Sequence, residues 1–359
     1  MPEAIIEKGA LKAMVERLKL AKGQTWVATF KLYDELLEAV SIGSAAVEHE
    51  APVDFYEHRD MPITFTIALP ELERWVGGVK DQVTISVDEH VVTFSTDDAE
   101  LPIPEIHDGF AVMPALPDEK LNLPATAWHA VESVAWAADK RDLSTHKGTL
   151  NIGDGVIWAT NLYRAGIVEM DERDANLSFA PGLAGALDFL DPAAMEVRTD
   201  ERGNVHLFNE TSRFVIPTFI GKRLEVANVK SMAQAEAGHD VVTFDRGEML
   251  ESLKHLKGLQ SDKESAVWLT MGERMTLTVI TGDSTPTTRQ IDYDGAAGIA
   301  TIAFNLESFV PSLQSLIDDE VAMELTNEKA PARMREGSYT ALIMPNATKA
   351  PAPLARKRK

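Results

Sequence analysis

The residues that could carry out chemistry match no catalytic or metal-binding spacing in this sequence. Neither glycine-rich phosphate loop (GxxxxGK before Ser or Thr, or GxGxxG) occurs, and no GxSxG elbow holds a serine nucleophile. Cysteine is absent, which excludes thiol nucleophiles and thiolate metal sites. The nine histidines form no HExxH run or close pair, and we interpret His49, His58, His90 and His129 as surface or capping residues. The spacing predicts a protein that is not an enzyme and that binds no metal or cofactor.

Lysine and arginine are the other candidates, because clustered cations bind phosphate groups. For any single cation, pairing with an acidic residue on a solvated helix face is an equally good interpretation. Their recurrence in three comparable places instead favours one surface that faces a polyanion. The cations in these places are Lys8, Lys12, Arg17, Lys19, Lys22, Lys140, Arg141, Lys254 and Lys257.

A pattern of two apolar-striped helices separated by strands occurs three times, about 120 residues apart, and positions these cations. The first helix of each copy is predicted around Lys8–Val15, Ala125–Val131 and Gly247–Leu253, and the second at Leu69–Val79, Pro181–Leu190 and Leu306–Ile317. Strands are expected between them, among them 27–32 and 39–49, and Gly153-Asp154-Gly155 predicts a hairpin turn.

The predicted fold class is α+β, with three tandem copies of a domain in which two helices pack on antiparallel sheets. Proline-rich or polar segments at 112–118 and 230–239 set the boundaries. The expected domains are 1–114, 115–235 and 236–347, followed by a disordered basic tail at 348–359.

Composition limits the class of protein. The 359 residues are 45% hydrophobic, which allows buried cores, and no apolar run approaches the length of a membrane span. The start of the chain lacks the order of a signal peptide, and the absence of cysteine fits a reducing cytoplasm. The formal net charge of −21 argues against strong non-specific binding of nucleic acid by the whole surface.

Several segments resemble the bacterial DNA polymerase III β subunit, the sliding clamp. Trp158–Ala165 is similar to that family's ATD-x-x-RL segment, and Ala303–Leu306 with Val310 and Leu313 is similar to its FN helix entry. Pro331–Arg335 with Tyr339–Pro345 resembles its closing strand pair. Gly258–Lys263 resembles its segment after the first helix of the third domain.

The resemblance implies that the chain is half of a six-domain ring, a head-to-tail homodimer around duplex DNA with no sequence preference. It implies a subunit interface that contains Leu259 on one side and Leu101 and Ile103 on the other.

The resemblance also implies a groove between the second and third domains that binds short peptides of a DNA polymerase and a clamp loader. Ala165 replaces the family's usual leucine, Ser308 a tyrosine and Asn346 a methionine, so we expect a wider and more polar groove, as in a divergent or phage-encoded clamp. The residues carried over to its wall are Thr160, Leu162, Tyr163, Arg164, Ala165, Pro331, Leu342, Met344 and Asn346.

Two alternatives stay open. A monomeric scaffold with the same fold would bind partner peptides without encircling DNA. An enzyme with an unrecognised site is disfavoured because no acid–base or metal pattern converges.

Overall fold

A computed structural model describes most of the chain. It covers residues 3–23, 26–55, 62–80, 82–107, 109–121, 123–139, 146–171, 176–179, 182–191, 194–218, 224–234, 240–260, 265–281, 285–296 and 298–346. None of the helices in these ranges is both long and apolar enough to span a membrane. The predicted tail and the predicted cations Lys140 and Arg141 lie outside the described residues, as does His58.

Short helices alternate with antiparallel strands along the whole chain. The first elements are β1 (Glu3–Ile6), α1 (Lys8–Leu18), β2 (Val27–Leu32), β3 (Leu36–Ile42), β4 (Ala46–Pro52), β5 (Asp54–Phe55), β6 (Ile63–Ala68), α2 (Leu69–Val76), β7 (Val83–Asp88), β8 (Val91–Ser95), β9 (Glu100–Pro104) and α3 (Ala125–Val134). The middle elements are β10 (Leu150–Gly153), β11 (Val156–Thr160), β12 (Arg164–Glu169), β13 (Asn176–Phe179), α4 (Gly182–Leu187), β14 (Glu196–Thr199), β15 (Val205–Phe208) and β16 (Ser212–Ile216). The last are α5 (Val226–Gln234), β17 (Asp240–Asp245), α6 (Arg246–Leu259), β18 (Ala266–Thr270), β19 (Met275–Ile280), β20 (Pro286–Ile291), β21 (Asp294–Ala296), β22 (Thr301–Asn305), α7 (Leu306–Gln314), β23 (Glu320–Leu325), β24 (Ala332–Glu336) and β25 (Tyr339–Ile343).

The chain forms two compact units, and each is discontinuous in sequence. The first comprises Met1–Trp128 and Gly182–Thr218, and the second comprises His129–Pro181 and Phe219–Lys359.

In the first unit, two antiparallel sheets accompany helices α1 and α2. The strand orders are β5-β1-β7-β8-β9 and β14-β15-β16-β4-β3-β2-β6. Helix α1 contacts both α2 and β4. Its apolar residues at positions 11, 14, 15 and 18 follow helical spacing, and all of them are buried.

In the second unit, helices α6 and α7 pack together beside a four-stranded sheet, β20-β19-β18-β22. A nine-stranded sheet runs β13-β10-β11-β12-β25-β24-β23-β17-β21. Side chains cap both helices: Asp245 Oδ1 accepts a hydrogen bond from Glu248 N at 2.6 Å, and Asn305 Oδ1 accepts one from Glu307 N at 2.8 Å. These bonds satisfy amide groups that a helix start otherwise leaves without partners.

The predicted antiparallel α+β fold is confirmed, together with the hairpin at Gly153–Gly155, where Asp154 and Gly155 have φ of 44° and 76°. The prediction of a single strand over 39–49 is wrong, because the chain turns at 43–45 between β3 and β4. Glycine is required at this turn, since a Cβ on Gly43 would lie 2.0 Å from the carbonyl oxygen of Ala21.

Helix α5 overturns part of the predicted linker at 230–239, since 230–234 are helical and 235–239 lie outside the described residues. The three second helices are shorter than predicted and end at Val76, Leu187 and Gln314.

His49 is also misplaced by the sequence prediction, because it is buried and not at the surface. Its Nδ1 lies 3.0 Å from Thr211 O and 2.8 Å from Ser212 Oγ. Strand β16 pairs with β4 and places Ser212 opposite His49.

The order of helices and strands recurs three times, which agrees with a threefold repeat. Strand pairing crosses the predicted domain limits, since β4 pairs with β16 and β12 pairs with β25. The boundaries at 114 and 235 stay predictions.

Candidate partner groove and nucleic-acid-facing helices

The turn between β11 and β12 is held in one conformation by side-chain hydrogen bonds. Thr160 Oγ1 donates to Arg164 O at 2.8 Å and accepts from Leu162 N at 3.0 Å. Asn161 Oδ1 accepts from Tyr163 N and from Arg164 N, each at 3.0 Å. Leu162 takes the left-handed conformation, with φ of 76°, which a leucine adopts only at a cost in free energy.

This turn projects two large side chains into solvent. Leu162 is 50% exposed and Tyr163 is 70% exposed. An exposed apolar pair on a rigid turn loses little conformational entropy when it binds a partner. The turn therefore has the properties of a contact surface.

Arg164 is a structural residue of this turn. Its guanidinium donates to Glu307 O at 2.8 Å, to Ala138 O at 3.1 Å and to Ala137 O at 3.4 Å. It also stacks over the Trp136 ring at 5.9 Å. Burial lowers the pKa of Arg164, while the carboxylates of Asp139 and Glu307 raise it. Arg164 thus fixes the start of β12 against the start of α7 and does not extend into solvent.

Ala165 and Leu342 lie opposite each other in the β12–β25 pair and form an apolar floor beneath this turn. Helix α5 packs on the same cluster, and sequence reasoning did not place it here. Leu224, Val226 and Met232 stay partly buried at the cluster's edge. The buried members are Val156, Trp158, Ala165, Ile167, Val229, Ala233 and Leu342.

The end of β25 continues alongside the turn. Met344 N donates to Tyr163 O at 2.8 Å, and Asn346 N donates to Ala303 O at 2.7 Å. Pro331 is exposed and directly precedes Ala332, which pairs with Ile343. The structure therefore brings the residues predicted for the groove close together in the second unit. Helix α5 packs beside them, which the sequence prediction lacked.

Three of the five predicted cations in and just after α1 pair with carboxylates of the same unit. Lys19 and Lys22 both reach Glu73 of α2, and Lys12 lies 3.8 Å from Glu16. Arg17 is partly buried, donates to Ala13 O at 3.0 Å and stacks over Phe189. Exposed pairs of this kind contribute little to stability, so a phosphate group can displace them at small cost.

Helix α6 presents Lys254 and Lys257 on its exposed side, together with Glu248 and Glu251. Its cations and acids thus share one face. Of the other predicted cations, Lys8 is half-buried at the start of α1.

The predicted interface residues differ in exposure. Leu259 is 43% exposed at the end of α6, and Ile103 is 2% exposed in the core of its sheet. Leu101 is half-buried. Ile103 therefore cannot offer its side chain to a partner, although its strand, β9, is the outer strand of its sheet among the described residues.

One histidine pair that the sequence did not reveal lies beside β9. His90 Nδ1 and His107 Nε2 are 3.2 Å apart, and among the described residues no third His, Asp or Glu completes a metal-binding group. The pair joins the start of β8 to the segment after β9, and Glu105 N donates to His90 O at 2.9 Å between them.

No family model matches the sequence, and no curated protein matches it either. Solved structures do match the fold. The DNA polymerase III β subunit of Thermotoga maritima is 16% identical, with a TM-score of 0.71 over 97% of this chain and 100% of that one. The β sliding clamp of C. crescentus is 13% identical, with a TM-score of 0.70 over 97% and 100% of the two chains.

The β clamp of Helicobacter pylori, solved with a DNA ligase peptide, is 15% identical, with a TM-score of 0.67 over 96% and 100% of the two chains. Identities this low are informative about fold alone. The chain therefore has the fold of the bacterial DNA polymerase III β subunit, the sliding clamp, over nearly its whole length.

Proposed function

We propose that this chain is a sliding clamp, in which two copies join head to tail around duplex DNA and tether a DNA polymerase. The observation that carries the proposal is the fold match over 97% of the chain and the whole of the Thermotoga maritima β subunit. A protein that matched only one domain of a clamp could not form half of the ring.

In this proposal the protein is not an enzyme and holds DNA by encirclement. A closed ring needs no tight phosphate contacts, and weak contacts let it slide. The net charge of −21 supports weak contacts, and so does the pairing of Lys12, Lys19 and Lys22 with carboxylates. The cations that face the channel would be those of the first helices. Among the described ones, Lys254 and Lys257 are exposed and can contact a phosphate group.

We propose the groove around Leu162, Tyr163, Leu342 and Met344 as the docking site for short peptides of the polymerase and the clamp loader. The exposed turn and the apolar floor support this assignment. The Helicobacter pylori clamp was solved with such a peptide, from DNA ligase.

The solution mass and a topological assay test the ring. We expect a species of twice the 39.4 kDa chain mass. Once loaded, the protein should stay on nicked circular DNA and leave when that DNA is linearised. Equal retention on both forms would refute sliding.

A monomeric scaffold that binds peptides without encircling DNA is the second candidate. The prolines at positions 102 and 104 favour it, because they remove backbone donors from the outer strand β9. A mass of 39.4 kDa at all concentrations, with peptide binding intact, would establish the scaffold and exclude the ring.

The groove has its own test. Replacing Tyr163→Ala together with Met344→Ala should weaken binding of a polymerase-derived peptide at least tenfold, because it removes an exposed aromatic contact and part of the apolar wall. Calorimetry measures the affinity, and solution mass checks that assembly is unchanged. Tyr33→Ala is the matched control, since Tyr33 is exposed in the first unit. Unchanged affinity in the double variant would show that the peptide binds elsewhere.

A further inference from the structure

Strand β9 forms an edge of its sheet that, at Pro102 and Pro104, can accept hydrogen bonds but cannot donate them. Ile103 lies opposite Val92 and Pro104 opposite Val91 in the β8–β9 pair. Because Glu105 N donates to His90 O, the odd-numbered residues of β9 direct their N–H and C=O groups toward β8. The even-numbered residues therefore direct theirs outward.

The outward residues in the middle and at the end of β9 are Pro102 and Pro104. Proline has no N–H group, so this edge presents two carbonyl oxygens without the donors that normally alternate with them. A second strand that pairs here would receive no hydrogen bond from either position.

Strand β20 is an outer strand of the four-stranded sheet and has the complementary groups. Thr281 N donates to Thr285 O in the β19–β20 pair, so residues 285, 287, 289 and 291 face β19. Thr288 and Gln290 therefore direct both N–H and C=O outward. Their two-residue spacing equals that of Pro102 and Pro104.

Leu259 is the last residue of helix α6, and its large side chain is exposed, which supports an interface near this sheet. The residue after it, Gln260, forms an isolated bridge with Thr281 at the end of β19. Helix α6 itself contacts β20.

Where the proposed ring joins β9 antiparallel to β20 of the second copy, we propose that the pairing is a half ladder. Pro102 lies opposite Gln290 and Pro104 opposite Thr288 of the second copy. Each pair then makes one hydrogen bond in place of the usual two, because only the β20 residue donates. The prolines thereby keep the interface weak, so that the ring opens readily. This inference rests on the proposed ring.

Restoring and removing donors tests the half ladder. The double variant Pro102→Thr with Pro104→Thr supplies two N–H groups and should lower the dimer Kd by roughly 2- to 12-fold for each restored bond, the range given by about 0.5–1.5 kcal/mol. Subunit exchange, followed by fluorescence energy transfer between labelled copies, should slow in proportion.

The variant Gln290→Pro removes one donor without touching the bonds to β19 and should raise the dimer Kd by a similar factor. Gln290→Ala keeps the backbone N–H and should leave Kd unchanged, which separates the backbone from the side chain. Pro70→Ala, at an exposed proline in the first turn of α2, is the control for loss of a proline. Thermal unfolding confirms that each variant is folded.

Unchanged Kd and exchange rates in the double threonine variant would overturn the half ladder, as would an unaffected Gln290→Pro dimer. If the natural chain is monomeric and the double threonine variant dimerises, the ring fails for the natural chain while the half ladder stands. If both are monomeric at every concentration, the half ladder is wrong as well.

Discussion

At the scale of single residues, the backbone angle of Leu162 connects stability with the proposed groove. A non-glycine residue with φ near 76° is strained by about 1–2 kcal/mol. We therefore expect Leu162→Gly to be more stable than Leu162→Ala by about 1 kcal/mol, the reverse of the usual order. Urea unfolding of both variants measures this difference. A more stable alanine variant would show that the turn relaxes. Both variants should weaken peptide binding, because both lack the exposed leucine side chain.

His49 gives a pH dependence at the same scale. Burial, with a smaller effect from the charge of Arg17, lowers the pKa of His49 to about 4. Its unfolded value is 6.5, so protonation favours the unfolded state. Neutral His49 makes its full contribution to the free energy of unfolding above pH 6.5. This contribution decreases as the pH falls and is lost below about pH 4.

His49→Asn is the matched variant, because asparagine can still donate to Thr211 O and does not titrate. The difference in free energy of unfolding between the natural chain and His49→Asn should be constant above pH 7. Between pH 6.5 and 4, the natural chain should lose stability relative to His49→Asn as the pH falls. Urea unfolding at each pH measures it, and a flat difference would mean that His49 titrates normally.

At the scale of elements, helix α5 shows which sequence signals were available. Val226, Val229 and Ala233 follow helical spacing, so the helix was predictable. The alanine and glycine content of 230–239 masked that spacing and favoured a linker. Its position on Trp158 and Leu342 was not predictable, because residues far apart in sequence meet there.

The hairpin at Gly153–Gly155 and the strand at 27–32 were predictable from local sequence, because turn chemistry and period-two alternation act over a few residues. Pairing of β12 with β25 joins Ala165 to Leu342, and no local pattern specifies it. The groove residues were therefore predicted one by one from the family resemblance, while the three carbonyl partners of Arg164 came only from the structure.

Val229 tests the role of α5. It is fully buried against the apolar floor of the proposed groove, so Val229→Ala should cost about 2 kcal/mol of unfolding free energy and weaken peptide binding. Val241→Ala, at a 40% exposed valine, is the control and should change neither. If the peptide affinity of Val229→Ala equals that of the natural chain, α5 is not a wall of the groove.

At the scale of the whole molecule, the charge balance predicts how DNA would be held in the proposed ring. Each phosphate contact contributes about 0.9 to the slope of log K against log salt. Lys254→Gln with Lys257→Gln should therefore reduce that slope by about two for equilibrium binding to duplex DNA. Lys120→Gln is the control, since Lys120 is not one of the cations predicted to face DNA. An unchanged slope would place DNA away from α6.

The pairing of β4 with β16 also determines how this protein can be divided. A fragment that ends at residue 114 would keep β4 but lose β16. The edge of β4 at Ala46 and Val47, which are buried in the whole chain, would then have no partner strand. Such edges recruit other chains, so the excised first repeat should aggregate. The same holds for a fragment that begins at 236, whose β25 would lack β12. Although the order of its elements recurs three times, the chain cannot be cut into three independent parts. Any shortened form engineered from it must keep its partner strands across both cuts.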